Sequence, residues 1–145
     1  MRNLIFDTAA NTHAVGEIEE ALRWGEPAYL TSASKSGSTV RIHWKKSRPG
    51  EYAMYFNCQT DLVETFRTLF PHEFRFEGHR ALVFEIGAPA REDALVFCIA
   101  AALTYHTART AGDRDDAATA SADSALETSA CNPIMLLLAL IQVEC

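Results

Sequence analysis

Residues 39–46 alternate strictly: Val40, Ile42 and Trp44 fall on one side, Arg41, His43 and Lys45 on the other. A two-residue period of this kind describes an antiparallel strand with one face in a core and one in water. It commits the chain to a sheet that is apolar on one side only. The period continues in Tyr52–Cys58, with Met54 and Phe56 on one face and Tyr55 and Asn57 on the other. Between these runs, Arg48-Pro49-Gly50-Glu51 places Pro and Gly where a type II turn takes them.

The remaining elements are read around this pair. Val15, Ile18 and Leu22 recur at helical spacing behind a cap at Asn11 or Thr12, which predicts a helix to Trp24 that ends on left-handed Gly25. Residues 27–33 read as a strand, and Lys35-Ser36-Gly37-Ser38 as a turn. Asp61 with Glu64 suggests a capping box before the stripe Leu62, Phe66, Leu69 and Phe70. Phe74–Glu77 and Ala81–Ile86 predict a hairpin turning at Gly78. Glu92–His106 predicts a long buried helix with Leu95, Cys98, Ile99, Ala102 and Leu103 inside. Strand connections are short, so neighbours pair antiparallel. The expected fold is α+β: a single curved antiparallel sheet of about five strands with helices packed on one face, in the order α-β-β-β-α-β-β-α. A poorly ordered C-terminal tail completes it. Residues 1–10 form an N-terminal arm, 11–106 the domain, 107–133 an Ala/Ser/Thr/Asp linker or tail, and 134–145 a short apolar segment. The linker composition cannot bury enough surface to offset its ordering entropy, so it reads as disordered or loosely helical.

Charge narrows the partners. Residues 1–106 hold 11 Lys and Arg against 13 Asp and Glu, whereas residues 107–145 hold 2 against 6. The near-neutral domain argues against nucleic acid. The apolar run Ile134–Ile141 is shorter than the ~20 residues of a spanning helix, which argues against a membrane. The opening residues lack the apolar core of a secretory signal, and the cysteines Cys58, Cys98, Cys131 and Cys145 form no C-x-x-C pair. A cytoplasmic location with reduced thiols is expected.

Several segments together resemble the YdhG-like domains, a bacterial group of unknown function: Trp24-Gly25-Glu26-Pro27-Ala28-Tyr29, Ser36-Gly37-Ser38-Thr39-Val40-Arg41-Ile42, Tyr55-Phe56-Asn57-Cys58-Gln59-Thr60, Gly78-His79-Arg80-Ala81 and Ala102-Leu103-Thr104-Tyr105-His106. The resemblance covers residues 11–106 and implies a small α+β fold with a frataxin-like layout. It brings no activity, cofactor or catalytic residue. Such domains stop soon after the Tyr-His pair, so residues 107–145 read as an extension, a disordered tail or the product of a shifted reading frame.

The wet sheet face is the expected platform for a small-molecule or protein partner. If the strands pair in order, Tyr29, Thr31, Arg41, His43, Lys45, Tyr55 and Asn57 project there. Arg41 and Arg80 suit a carboxylate or phosphate, against the alternative that they pair with Glu26 and Glu85. Cys58, between a strand end and a helix N-terminus, is a candidate nucleophile. His106, at a helix C-terminus beside Tyr105, is a candidate acid–base group or a cap. The five histidines His13, His43, His72, His79 and His106 show no metal-ligand spacing, and no phosphate loop or nucleophile elbow occurs, so no metal or cofactor is expected. Trp24, Trp44 and Cys98 read as core. Three functions remain: a binding module using the polar sheet face with Tyr29, Arg41, His43, Tyr55, Asn57, Cys58, Arg80 and His106 as its candidate residues, an enzyme of unassigned reaction using Cys58 or His106, and a protein that forms homo-oligomers through its C-terminal apolar segment.

Overall fold

In a computed structural model that describes residues 1–118, the chain runs α1 (Arg2–Asn11), β1 (Glu19–Arg23), β2 (Glu26–Leu30), β3 (Val40–Trp44), β4 (Glu51–Tyr55), α2 (Leu62–Leu69), β5 (Arg75–Glu77), β6 (Ala81–Glu85), α3 (Glu92–Leu103) and α4 (Tyr105–Ala118). The strands form one antiparallel sheet in the order β1-β2-β3-β4-β6-β5. The fold is α+β, as the alternation predicts, with six strands. Residues 1–10, expected as an arm, form most of α1, which buries Ile5, Thr8 and Ala9.

The additional strand comes from the segment expected as a helix over 11–24. Val15 and Ile18 are buried, but Glu19–Arg23 pairs along its whole length with Glu26–Leu30. The two residues between, Trp24 and Gly25, both take positive φ, +55° and +78°. That is the requirement of a two-residue type I′ hairpin loop. Gly25 is left-handed as expected, yet it turns a hairpin rather than ending a helix. Local helix preference was overridden by strand pairing, which covers what would otherwise be the bare edge of β2.

Register assigns the faces. Tyr29 lies opposite Val40, Ala28 opposite Arg41, Ile42 opposite Met54, and Met54 opposite Leu82. Residues directly opposite share a face, so Tyr29, Val40, Ile42, Met54 and Leu82 line the helix-covered side. α1 reaches it through Phe6, edge-on to Tyr29 at 5.8 Å, and α2 through Phe66, edge-on to Phe56 at 5.3 Å. Burial falls along β3 from Val40 to Trp44, so Trp44, expected in the core, is 49 % exposed and donates its indole N–H to the Pro49 carbonyl at 3.1 Å.

The expected Glu92–His106 helix stops at Leu103 because the turn after β2 terminates it. Ser36 Oγ donates to the Leu103 carbonyl at 2.8 Å and the Ser38 N–H to the Ala102 carbonyl at 2.7 Å. Between them, a Cβ on Gly37 would overlap the Leu103 backbone. Two carbonyls orphaned at the helix end are thereby satisfied. Two smaller expectations also change. Gly50 lacks the positive φ of a type II turn, although the Glu51 N–H does donate to the Arg48 carbonyl at 3.0 Å. Asp61 stands at the N-cap of α2 without a side-chain capping bond, its carboxylate instead accepting the Tyr105 hydroxyl at 3.0 Å.

Met1–Tyr105 forms one compact unit, and a second begins at His106. Residues 107–118, expected as disordered or loosely helical, lie in α4. The rest of the linker, the apolar segment 134–145, Cys131 and Cys145 lie outside the described residues.

Candidate functional site: an arginine-walled cleft on the open sheet face

On the uncovered side of the sheet, register places Arg23 opposite Glu26, Ala28 opposite Arg41, Arg41 opposite Tyr55, and Tyr55 opposite Ala81. At this end a cleft of about 360 Å³ opens, walled by Arg23, Arg41 and Arg80. Thr39, Asn57 and Cys58 supply its polar rim, and Trp24, Leu30 and Phe56 its apolar surface. The volume lies in the range of small-molecule sites.

Each cation is held differently. Glu26 serves two groups: Oε2 lies 3.5 Å from Arg41 Nη1 and Oε1 lies 2.6 Å from His43 Nδ1. Tyr55 sits among the cations, with the Arg41 and Arg80 guanidinium carbons 5.8 and 6.0 Å from its ring centre and the His43 ring edge-on at 6.0 Å. Arg41 also lies 5.1 Å over the Trp24 ring. Among the described residues, neither Arg23 nor Arg80 has a carboxylate within 4.0 Å. Of the alternatives for the two arginines, Arg41 pairs with Glu26 and Arg80 does not pair with Glu85.

Trp24, expected in the core, is 85 % exposed in its left-handed turn position. A bulky residue with positive φ is strained, and such strain clusters at ligand clamps. Asn57 turns its side-chain oxygen inward to accept the Gln59 N–H at 3.0 Å, while its carbonyl accepts the Thr60 hydroxyl at 2.6 Å. Asn57 itself lines the cleft rim.

Of the residues expected on the platform, Arg41, Asn57, Cys58 and Arg80 line the cleft, and His43 and Tyr55 stand beside Arg41. Tyr29 and Thr31 do not belong to it. Tyr29 is 1 % exposed on the covered face and donates to Glu20 Oε1 at 3.1 Å, while Arg2 grips the same carboxylate at 2.6 Å. Burial first, and then Glu20, pushes the Tyr29 phenol up to about 12. Thr31 is buried and its hydroxyl accepts the Gly37 N–H at 3.1 Å, closing the turn that terminates α3. His106, expected at a helix C-terminus, is the second residue of α4 in the other unit. Burial pushes the Cys98 thiol well up, in keeping with a core residue.

Sequence reasoning missed Arg23, Trp24, Leu30, Thr39 and Phe56 as cleft residues. Their one available signal was Trp-Gly-Glu-Pro itself: with a hairpin at Trp24-Gly25, Arg23 moves from a helix to the open face. Among the described residues, no three His, Cys, Asp or Glu side chains gather to hold a metal ion, and no helix is long and apolar enough to cross a membrane. Set against protein-family models, curated proteins and solved structures, the chain matches none of them.

Proposed function

We propose that this chain is a binding module for a small anionic molecule, seated in the cleft between the Trp24 hairpin and Arg80. The reading keeps the chain as a bacterial YdhG-like domain acting in the cytoplasm. It rests on one observation: Arg23 and Arg80 line an open cleft with Arg41, and among the described residues neither has a carboxylate within 4.0 Å. A guanidinium held near a concave wall without a protein partner is ready to take an oxyanion bidentately. The aromatic neighbours support it, since Tyr55 and Trp24 hold Arg41 by cation–π contact without consuming its N–H donors.

The nearly neutral domain does not weaken this reading, because binding depends on the local balance, and here three arginines face one shared glutamate. The enzyme alternative, which uses Cys58 or His106, keeps Cys58 in the wall of the same cleft. A thermal-shift screen of anionic metabolites against the full chain tests the proposal. A ligand at 100 times its Kd stabilises the folded state by about 2.7 kcal/mol. The same ligand should give no shift with the Arg23→Ala/Arg80→Ala double variant. An undiminished shift in that variant overturns the assignment.

A further inference from the structure

The cleft also carries information about the class of ligand, an inference that rests on the anion-binding reading. Its wall donates hydrogen bonds and hardly accepts them. Three guanidinium groups have no acceptor at all. The Asn57 oxygen already accepts the Gln59 N–H, and the Thr39 hydroxyl and, weakly, the Cys58 thiol can play either part. A molecule with N–H or O–H edges to satisfy, such as a nucleobase, would find too few acceptors. A molecule made of oxygen acceptors would be fully served.

Charge sharpens this. Glu26, outside the cleft lining, is divided between Arg41 and His43, so the three arginines keep an excess close to two positive charges. Arg41 and Arg80 both lie within about 6 Å of the one Tyr55 ring. With Arg23 they line one and the same cleft. The complement is a single doubly charged head.

Trp24 describes the rest of the ligand. Asn or Gly is the ordinary occupant of a positive-φ loop position in a type I′ hairpin. A tryptophan there carries backbone strain, and at 85 % exposure it gains no burial in return. What it provides is a flat apolar surface at the cleft mouth, next to Leu30 and against the guanidinium of Arg41.

We infer that the cleft takes a phosphate monoester on a flat, ring-sized body, with the phosphate among Arg23, Arg41 and Arg80 and the ring on Trp24.

Calorimetric titration of the full chain with four probes tests this: phenyl phosphate, benzenesulfonate, cyclohexyl phosphate and inorganic phosphate. Phenyl phosphate and benzenesulfonate share shape, but above the second phosphate pKa of about 6 only the former is a dianion. At pH 8 phenyl phosphate should bind about tenfold more tightly than benzenesulfonate. The stacking partner should favour phenyl over cyclohexyl phosphate by about fivefold. Trp24→Asn should erase that preference. Equal affinity for phenyl phosphate and benzenesulfonate, still lost in Arg23→Ala/Arg80→Ala, overturns the dianion and leaves the anion site standing. A phenyl preference that survives Trp24→Asn overturns the stacking role. No binding of any probe, or binding untouched by the double arginine variant, overturns both this inference and the reading beneath it.

Discussion

The two ends of the open sheet face carry similar side chains in opposite states. Toward β5 the cations are saturated: Arg48 lies 3.2 Å from Glu77 and 3.7 Å from Glu51, Arg75 2.7 Å from Glu51, and Lys45 3.8 Å from Glu77. The hollow among Lys45, Arg48, Glu51 and Glu77 is only about 20 Å³. Toward the Trp24 hairpin, three arginines line a cleft of about 360 Å³, and of them only Arg41 has a glutamate partner among the described residues. Exposed ion pairs contribute little to stability and serve mainly as a solvated, self-neutral surface. Cations left without partners beside a concavity keep their hydrogen-bonding capacity for something else. The contrast shows that counting charges on a face says little, whereas asking which charges are already answered says a good deal.

Three changes break or sharpen this contrast. The largest effect is expected from Glu26→Gln, which removes the carboxylate paired with Arg41 while keeping its shape. Affinity for a dianionic probe should rise about tenfold at low salt and less at high salt, measured by titration at two ionic strengths. An unchanged affinity would mean that Glu26 does not set the charge of the cleft.

Next comes Trp24→Asn, which suits the left-handed turn. Stability should rise by about 0.5–1 kcal/mol in urea denaturation even as affinity for an aryl anion falls. A loss of stability would show that the indole holds the hairpin and is no ligand surface.

The smallest effect belongs to Arg75→Ala, at the saturated end. Anion affinity should not move. The Arg75 guanidinium holds the Glu51 carboxyl below its ordinary range. This pair therefore stabilises the fold above that range, and its contribution fades as pH falls toward about 4. The variant should show a weaker decline in urea midpoint between neutral pH and about pH 4. An identical decline would mean that the pair is not maintained in solution.

Legibility from sequence followed the strength of local signals. Val40–Trp44, Glu51–Tyr55 and Leu62–Leu69 were readable because each has a clean period of its own. The segment 19–23 was not: Glu, Ala, Leu and Arg favour helix, and nothing local announces that Glu26–Leu30 will pair with it. That one misreading hid Arg23 and Trp24 from the candidate site, while Tyr29 was placed on the wrong face because its register opposite Val40 is not written in its own strand. Arg41, Asn57, Cys58 and Arg80 could be proposed because their strands and turns were read correctly. Their convergence into one cleft could not, because it depends on which strands become neighbours.

From its own residues the sequence determined the class of fold, the two-faced character of the sheet, and the left-handed backbone at Gly25 and Gly78. These follow from side-chain periodicity and the steric freedom of glycine, which act within a few residues. Only the tertiary structure decided that residues 19–23 are a strand, that the Ser36-Gly37-Ser38 turn ends α3, and that three arginines distant in sequence line one cleft. Those outcomes depend on strand register and on backbone groups far along the chain, whose energies exist only once the sheet and its helices have come together.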